Sequence, residues 1–164
     1  MKIAHLSYSD DPNGGAFKLA LLIHLNLKKI AKINTKLFVA KKITKHSITL
    51  NYSNNLKLFL KEKLAKLFKL FFFSNYMTSS PSVFNSGWKN FFNNSTIDLV
   101  NFFWVNRETI SIEEIGKINK PIVWTLCDMW PFCGGENFTL NNRFIDGYKK
   151  SNKDSFGFDF NKWM

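Results

Sequence analysis

The sequence predicts an α/β fold in which a parallel sheet is covered by helices on both faces. Short runs rich in β-branched and aromatic residues, typical of buried strands, alternate along the chain with segments of helical periodicity. The length of 164 residues suits one domain with a real core. Hydrophobic residues at 45% and aromatic residues at 16% exclude a disordered chain. We assign residues 1–150 to this domain.

The first strand is predicted at Lys2–Tyr8, and the helix after it is predicted to run from Ala16 to about Ile33. Gly14 and Gly15 lie between them. A strand, a glycine turn and a helix in this order allow backbone N–H groups to meet a phosphate at the helix N-terminus. The motif is not GxGxxG, so a tight turn explains the glycine pair equally well.

The remaining elements follow from local patterns. Thr35–Ala40 is a second predicted strand, and residues 41–55 show no period and predict a surface loop. A helical turn is predicted at Trp88–Phe92, and a buried strand at 97–104. Ser111 and Glu114 have the spacing of a capping box, which predicts that a short helix begins at Ser111.

Leu56–Phe73 predicts an amphipathic helix with lysines opposite an apolar stripe. The stripe comprises Leu56, Phe59, Leu60, Leu64, Leu67, Phe68 and Phe71. From Phe17 to Asn90 the chain has fourteen lysines and a single acid, Glu62. Such a helix suits either an anionic lipid interface or ordinary packing on the sheet. We expect a packed helix with a lysine-rich outer face and at most peripheral, reversible contact with an anionic membrane.

The net charge of +11 also invites a nucleic-acid partner. Arg107 and Arg143 are the only arginines, although specific readers of phosphates and bases depend on arginine, and no RNA-binding sheet motif is present. We therefore expect no specific nucleic-acid binding.

Cys127 and Cys133 are the only cysteines, and their C-x5-C spacing is not that of a metal or redox site. Two reduced thiols, no metal and no cofactor are the expectation. The N-terminus turns polar too early for a signal peptide, and no apolar run has the length of a membrane span. These features predict a cytoplasmic protein, with membrane contact limited to the inner face.

The stretch PIVWTLCDMWPFCGGENF, residues 121–138, is the most distinctive part of the chain. Its first residues predict a buried strand at 122–126, and its polar, aromatic and glycine-rich continuation is typical of sites at the carboxyl edge of a parallel sheet. From spacing alone, an aromatic-packed turn explains it better. After Phe138 the sequence becomes polar, and residues 151–164 end without a stop signal. They predict the start of a linker or further helix in a chain that has been cut.

The 121–138 stretch resembles the W-T-L-H-D-M-W-P-F-C-G-A-E-H-Y segment of bacterial GT-B glycosyltransferases of the group 1, or family 4, type. The D-x-N-G-G-A order before the first helix and the N-R-F-I-D-G-Y motif at 142–148 are also similar to that family. The resemblance implies a Rossmann-like first domain, which is the acceptor-side half of a retaining enzyme. In the family a second Rossmann-like domain, absent from this chain, holds the nucleotide-sugar.

By resemblance, the amides of Gly14 and Gly15 would approach the donor diphosphate. Asp128 would bond sugar hydroxyls, Trp130 would offer an apolar face to a sugar ring, and Glu136 would help to order the loop. Gly134 and Gly135 belong to the same donor- and substrate-binding loop.

Three family histidines are replaced in this chain, by Phe103, Cys127 and Asn137. Imidazole can bond a sugar hydroxyl or carry a proton, whereas a phenyl ring cannot and a thiol does so poorly. No catalytic residue is therefore assigned. The expected function is that of a glycosyltransferase fragment, inert alone, using a nucleotide-sugar donor and a glycan or lipid-linked acceptor. The alternative is a non-catalytic remnant that binds a sugar or a partner protein.

Overall fold

The computed structural model describes residues 1–48, 55–72, 79–133, 135–138 and 144–147. Five strands and four helices lie within these ranges. In chain order they are β1 (Lys2–Ser9), α1 (Gly15–Leu27), β2 (Asn34–Lys41), β3 (Ser47–Ile48), α2 (Asn55–Phe72), α3 (Trp88–Asn94), β4 (Leu99–Phe102), α4 (Ile112–Gly116) and β5 (Ile122–Trp124). The sequence predicts every one of these elements except β3.

The strands form one parallel sheet in the order β3-β2-β1-β4-β5. The register places Ile3 of β1 between Thr35 of β2 and Leu99 of β4. Strands β2 and β3 extend the sheet on one side of β1, and β4 and β5 extend it on the other. This is the strand order of a Rossmann-like α/β fold, so the predicted fold class is confirmed.

Alternating side chains of the central strands enter two cores, one on each face of the sheet. Leu6, Phe38 and Phe102 pack with Trp88 and Phe92 of α3 on one face. On the other face, the residues in contact are Ala20, Leu21, Leu37, Val39 and Phe103. Because successive side chains of a strand point to opposite faces, the near-continuous apolar runs supply both cores at once.

The capping box at the start of α4 is confirmed. The Ser111 hydroxyl accepts from the amide of Glu114 at 3.2 Å, and the Glu114 carboxylate accepts from the amide of Ser111 at 3.3 Å. Glu114 also accepts from the amides of Ser86 and Gly87, so it joins α4 to the loop before α3. This local signal is readable in sequence because it depends on residues three positions apart.

Two details of the outer elements differ from the predictions. The first helix ends at Leu27 instead of near Ile33, and Ile30, predicted for its apolar stripe, is 50% exposed. The strand predicted as buried at 122–126 is β5, in which Ile122 and Val123 are exposed. It pairs only with β4 and is the sheet edge among the described residues, which accounts for that exposure.

Helix α2 covers the predicted segment as far as Phe72 but has the opposite orientation, and Phe73 lies outside the described residues. Leu58 and Ala65 are its buried side chains, and Lys61, Glu62 and Lys69 are partly buried on the same side. The predicted apolar stripe faces outward: its exposed members are Leu56 at 62%, Phe59 and Leu60 at 51%, and Leu64 and Leu67 at 53%. The expectation of a packed stripe with a lysine-rich outer face is therefore wrong.

Candidate functional site

The candidate site lies where the strand order reverses, at the carboxyl ends of β1 and β4. The amide of Tyr8 in β1 donates to the carbonyl of Trp104 at 2.8 Å, so the two chain segments stay paired beyond the end of β4. In open α/β sheets, ligands bind in the crevice outside this reversal point. The loops after β4 and β5 meet there.

Asp128 connects these loops. Its Oδ2 accepts from Nε1 of Trp104 and from Nδ2 of Asn106, both at 2.7 Å, and its Oδ1 accepts from the amide of Trp130 at 3.1 Å. Burial raises the pKa of the Asp128 carboxyl, while the bonds from Trp104, Asn106 and Trp130 act against that increase. The residue predicted to bond sugar hydroxyls is therefore engaged with three protein donors.

Gly14 shapes the aromatic wall beside Trp104. A Cβ at Gly14 would lie 2.4 Å from Cδ2 of Phe17, so only glycine leaves room for that ring. The ring centroid of Phe17 lies 5.5 Å from that of Trp104 and 5.9 Å from that of Tyr8. The smallness of Gly14 thus allows α1 to pack on the candidate site.

The two glycines differ in their surroundings. The amide of Gly14, predicted to approach a diphosphate, donates to the carbonyl of Asp11 at 3.2 Å. Gly15 is exposed, and a Cβ there would meet no atom within 4 Å.

Asp10, just before this turn, accepts hydrogen bonds from Ile43, Thr44 and Ser47. Burial alone would raise the pKa of Asp10, but these bonds hold it below its ordinary value.

Trp130 corrects one sequence prediction. Its side chain is only 4% exposed, and its indole Nε1 donates to the carbonyl of Ser80 at 2.8 Å. It packs against Trp124 with the ring centroids 5.8 Å apart. A buried indole cannot offer its face to a sugar, so Trp130 is a core residue below the loop. Trp104 is the tryptophan that lines the adjacent cavity.

The glycine-rich end of the loop is held against the segment before α3. The amide of Ser80 donates to the carbonyl of Gly135 at 2.7 Å, and Gly135 has a φ of 94°, which favours glycine. Glu136 is buried, and its Oε2 has no hydrogen-bond partner within the described ranges. Gly134, predicted in the same loop, lies outside the described residues.

The residues that replace the three family histidines have different surroundings. Phe103 is buried, with its ring centroid 5.7 Å from that of His5. Cys127 is half-buried, its thiol donates to the carbonyl of Thr125 at 3.4 Å, and burial followed by the charge of Asp128 raises its pKa. Asn137 faces the site, and its Oδ1 accepts from Asn106 at 2.8 Å. Neither Cys127 nor Cys133 forms a disulfide bond.

A cavity of about 570 Å³ opens beside this network, and most of its lining residues are not predicted from the sequence. The lining residues are Glu62, Ala65, Lys66, Lys69, Ser79, Ser80, Pro81, Trp104, Arg107, Glu108 and Asn137. One signal was available: Arg107 is a rare arginine that lies shortly after the strand predicted at 97–104. The contribution of α2 could not be foreseen, because the helix was expected to present its apolar stripe to the sheet.

Comparison of the chain with protein-family models, with curated proteins and with solved structures found no match. Among the described residues, no group of three or more His, Cys, Asp or Glu side chains is placed to hold a metal ion. No helix in the described ranges is both long and apolar enough to cross a membrane.

Proposed function

We propose that this chain is the acceptor-side half of a retaining glycosyltransferase that uses a nucleotide-sugar donor. The observation that carries the proposal is the Asp128 network at the reversal point of a Rossmann-like sheet, where such folds bind ligands. The resemblance of residues 121–138 to GT-B glycosyltransferases supplies the reaction type.

In this proposal Asp128 positions the acceptor loop. It accepts hydrogen bonds from Asn106 and from Trp104, which lines the cavity, and the acceptor would bind between Trp104 and α2. The Gly14–Gly15 turn would face the donor from the amino end of α1. Transfer requires both domains to enclose the sugar and stabilise an oxocarbenium-like transition state, so we expect this chain alone to be inactive.

The test begins with the reading frame downstream of the Met164 codon. A continuation that encodes a second Rossmann-like domain would provide the protein to assay against a panel of nucleotide-sugars, with sugar transfer and donor hydrolysis as readouts. Asp128→Ala should reduce either activity at least about a hundredfold if loop positioning is required. Asp146→Ala, at an exposed position, is the matched control. A two-domain protein without transfer or hydrolysis would contradict the proposal.

A second candidate is a non-catalytic remnant that binds a sugar or a partner protein. It is favoured by the surroundings of two residues that replace family histidines. Phe103 is buried in the core, and the thiol of Cys127 donates to a carbonyl and has a raised pKa. Restoring histidine at positions 103, 127 and 137 of a two-domain protein should create or greatly increase transfer if these replacements silenced it. Full activity with the present residues would exclude the remnant.

We also propose that α2 contacts an anionic membrane peripherally. Its exposed leucines are flanked by Lys57 and Lys63, which are exposed as well. An exposed apolar stripe with basic flanks is complementary to an anionic lipid interface. Such contact would bring the cavity lined by the other face of α2 close to lipid-linked substrates.

A further inference from the structure

Three cations surround the cavity beside Asp128, and they come from two separate elements. Lys66 and Lys69 lie one turn apart on α2, and Arg107 follows β4. Burial is the main cause that lowers the pKa of Lys69, and the positive charges of Arg107 and Lys66 lower it further. The positive charges of Lys66, Lys69 and Arg107 therefore face the same cavity.

Arg107 is held in an unusual conformation. Its guanidinium carbon lies 5.5 Å from the ring centroids of both Tyr8 and Trp104, in cation–π contact with each. The backbone at Arg107 has a φ of 52°, and at Glu108 a φ of 58°, in the left-handed region that is costly for such residues. Consecutive strained residues are typical of ligand sites, where the surroundings hold the chain in place.

The surrounding bonds that maintain this conformation are present. The amide of Arg107 donates to the hydroxyl of Ser80 at 2.8 Å. The buried carboxyl of Glu108 accepts from the amide of Ser82 at 2.8 Å and from that of Phe84 at 2.9 Å. These contacts join the strained turn to the segment that forms another wall of the cavity.

Two acidic side chains balance the cations only in part. Glu62 accepts a hydrogen bond from the Tyr8 hydroxyl at 2.8 Å. Burial raises the pKa of Glu108 to about 7, so this carboxyl carries only part of a negative charge near neutral pH. Among the described lining residues, three cations face fewer than two full negative charges, so this part of the cavity is positive.

We propose that this cavity binds the phosphate group of a phosphorylated sugar or phosphorylated lipid, an inference that rests on the acceptor-side role proposed above. Arginine presents a planar fork that matches two phosphate oxygens, and the lysines add charge that a dianion can share. A cavity of about 570 Å³ has room for more than the phosphate alone. The phosphate would occupy the cationic side, with the organic portion toward Trp104 and Asn137.

The exposed stripe of α2 connects the cavity with a lipid source. Lys66 and Lys69 line the cavity, while Leu60, Leu64 and Leu67 on the opposite side of the same helix are exposed. A phosphorylated lipid could therefore place its headgroup in the cavity while α2 rests on the bilayer. A soluble sugar phosphate would need the cavity alone.

The test is calorimetric titration of the full chain with glucose 1-phosphate, using glucose as the uncharged control. A parallel arm measures co-sedimentation with phosphatidylcholine vesicles that contain a polyprenyl phosphate. We expect one or both phosphate probes to bind. Lys69→Gln and Arg107→Gln should each weaken that binding at least about tenfold. Lys32→Gln, at an exposed position outside α2, should leave it unchanged.

Binding of glucose 1-phosphate would identify a soluble phosphate ligand, and binding of the polyprenyl phosphate vesicles alone would identify a lipid. Either result supports the inference if Lys69→Gln and Arg107→Gln each weaken that binding at least about tenfold. Near-UV circular dichroism checks that each variant is folded, and Lys66→Gln replaces any variant that is not. Failure of both probes to bind, or binding that the cavity variants do not alter, would overturn the inference. The proposed glycosyl transfer would stand in that case, because neither probe measures it.

Discussion

Nε1 of Trp104 donates to Oδ2 of Asp128 at 2.7 Å, and this bond joins the loop after β4 to the loop after β5. Asn106 donates to the same oxygen. Asp128→Asn would supply one carbonyl oxygen and one amide nitrogen in place of two acceptors, so at least one partly buried donor would be left unpaired. We expect a loss of about 1–3 kcal/mol in the free energy of unfolding, measured by urea titration. Asp146→Asn, at an exposed position, should change it far less, and equal losses would refute a bridging role.

The second prediction compares the two neighbouring glycines. In Gly14→Ala the new methyl group would lie 2.4 Å from the present position of the Phe17 ring, which must then move away from Trp104 and Tyr8. We expect a loss of about 1 kcal/mol in stability and a changed near-UV circular dichroism spectrum. Gly15→Ala meets no neighbour, and should stabilise α1 by about 0.5–1 kcal/mol. Equal effects of the two substitutions would show that the Phe17 contact is unimportant.

The third prediction concerns acid stability. The pKa of both His5 and His24 is lowered from 6.5 to about 4, mainly by burial and, for His5, also by the charge of His24. Because the folded-state pKa lies below the unfolded value, the stabilising contribution is complete above pH 6.5 and is lost as the pH falls through about 4. The expected loss is about 3 kcal/mol per histidine.

Urea titrations between pH 7 and pH 4 measure this loss. The variant His24→Gln should flatten the decline. His46→Gln removes an exposed imidazole whose charge is a lesser cause of the lowered His24 pKa, so it should flatten the decline far less. The prediction fails if His24→Gln leaves the slope of unfolding free energy against pH unchanged.

The fourth prediction concerns Glu108, whose contribution to stability changes with pH in the opposite direction. Burial raises the pKa of Glu108 from 4.5 to about 7, so its contribution to stability is complete below pH 4.5 and is lost as the pH rises through 7. Between pH 4.5 and 6.5 it therefore opposes the effect of the histidines. Glu108→Gln, which cannot titrate, should steepen the increase in stability with pH by about 1.4 kcal/mol per pH unit. An unchanged slope would show that Glu108 is ionised throughout this range.

Local patterns were sufficient to predict most elements of the fold. The Ser111–Glu114 capping box depends on neighbours in the chain, and the strand runs owe their composition to burial on both faces of the sheet. The orientation of α2 was not predictable in this way. Leu58 and Ala65, together with the Tyr8–Glu62 bond, set which side faces the sheet, and these contacts join residues far apart in sequence.

The candidate site was predictable in part. Asp128 was identified, but its hydrogen bonds with Trp104 and Asn106 were not, because these two residues reach it from a different loop. Trp130 was expected to face a ligand, yet the Ser80 carbonyl gives its indole nitrogen a buried partner. The cations of the cavity were missed because Lys66, Lys69 and Arg107 approach one another only in the folded chain.

The last prediction tests the outer face of α2 against anionic lipid. Leu60 and Leu64 are about half exposed, so replacing both with glutamine removes apolar surface that a membrane could bury without disturbing the core. We expect Leu60→Gln/Leu64→Gln to weaken co-sedimentation with phosphatidylserine-containing vesicles at least about tenfold, and to leave the free energy of unfolding nearly unchanged. Charge reversal of Lys57 and Lys63 should weaken binding to these vesicles and make no difference with neutral ones. Leu58→Gln is the matched control on the buried face: it should destabilise the fold by about 2–4 kcal/mol. Vesicle binding that neither the leucine nor the lysine variants reduce would show that α2 is not the membrane contact.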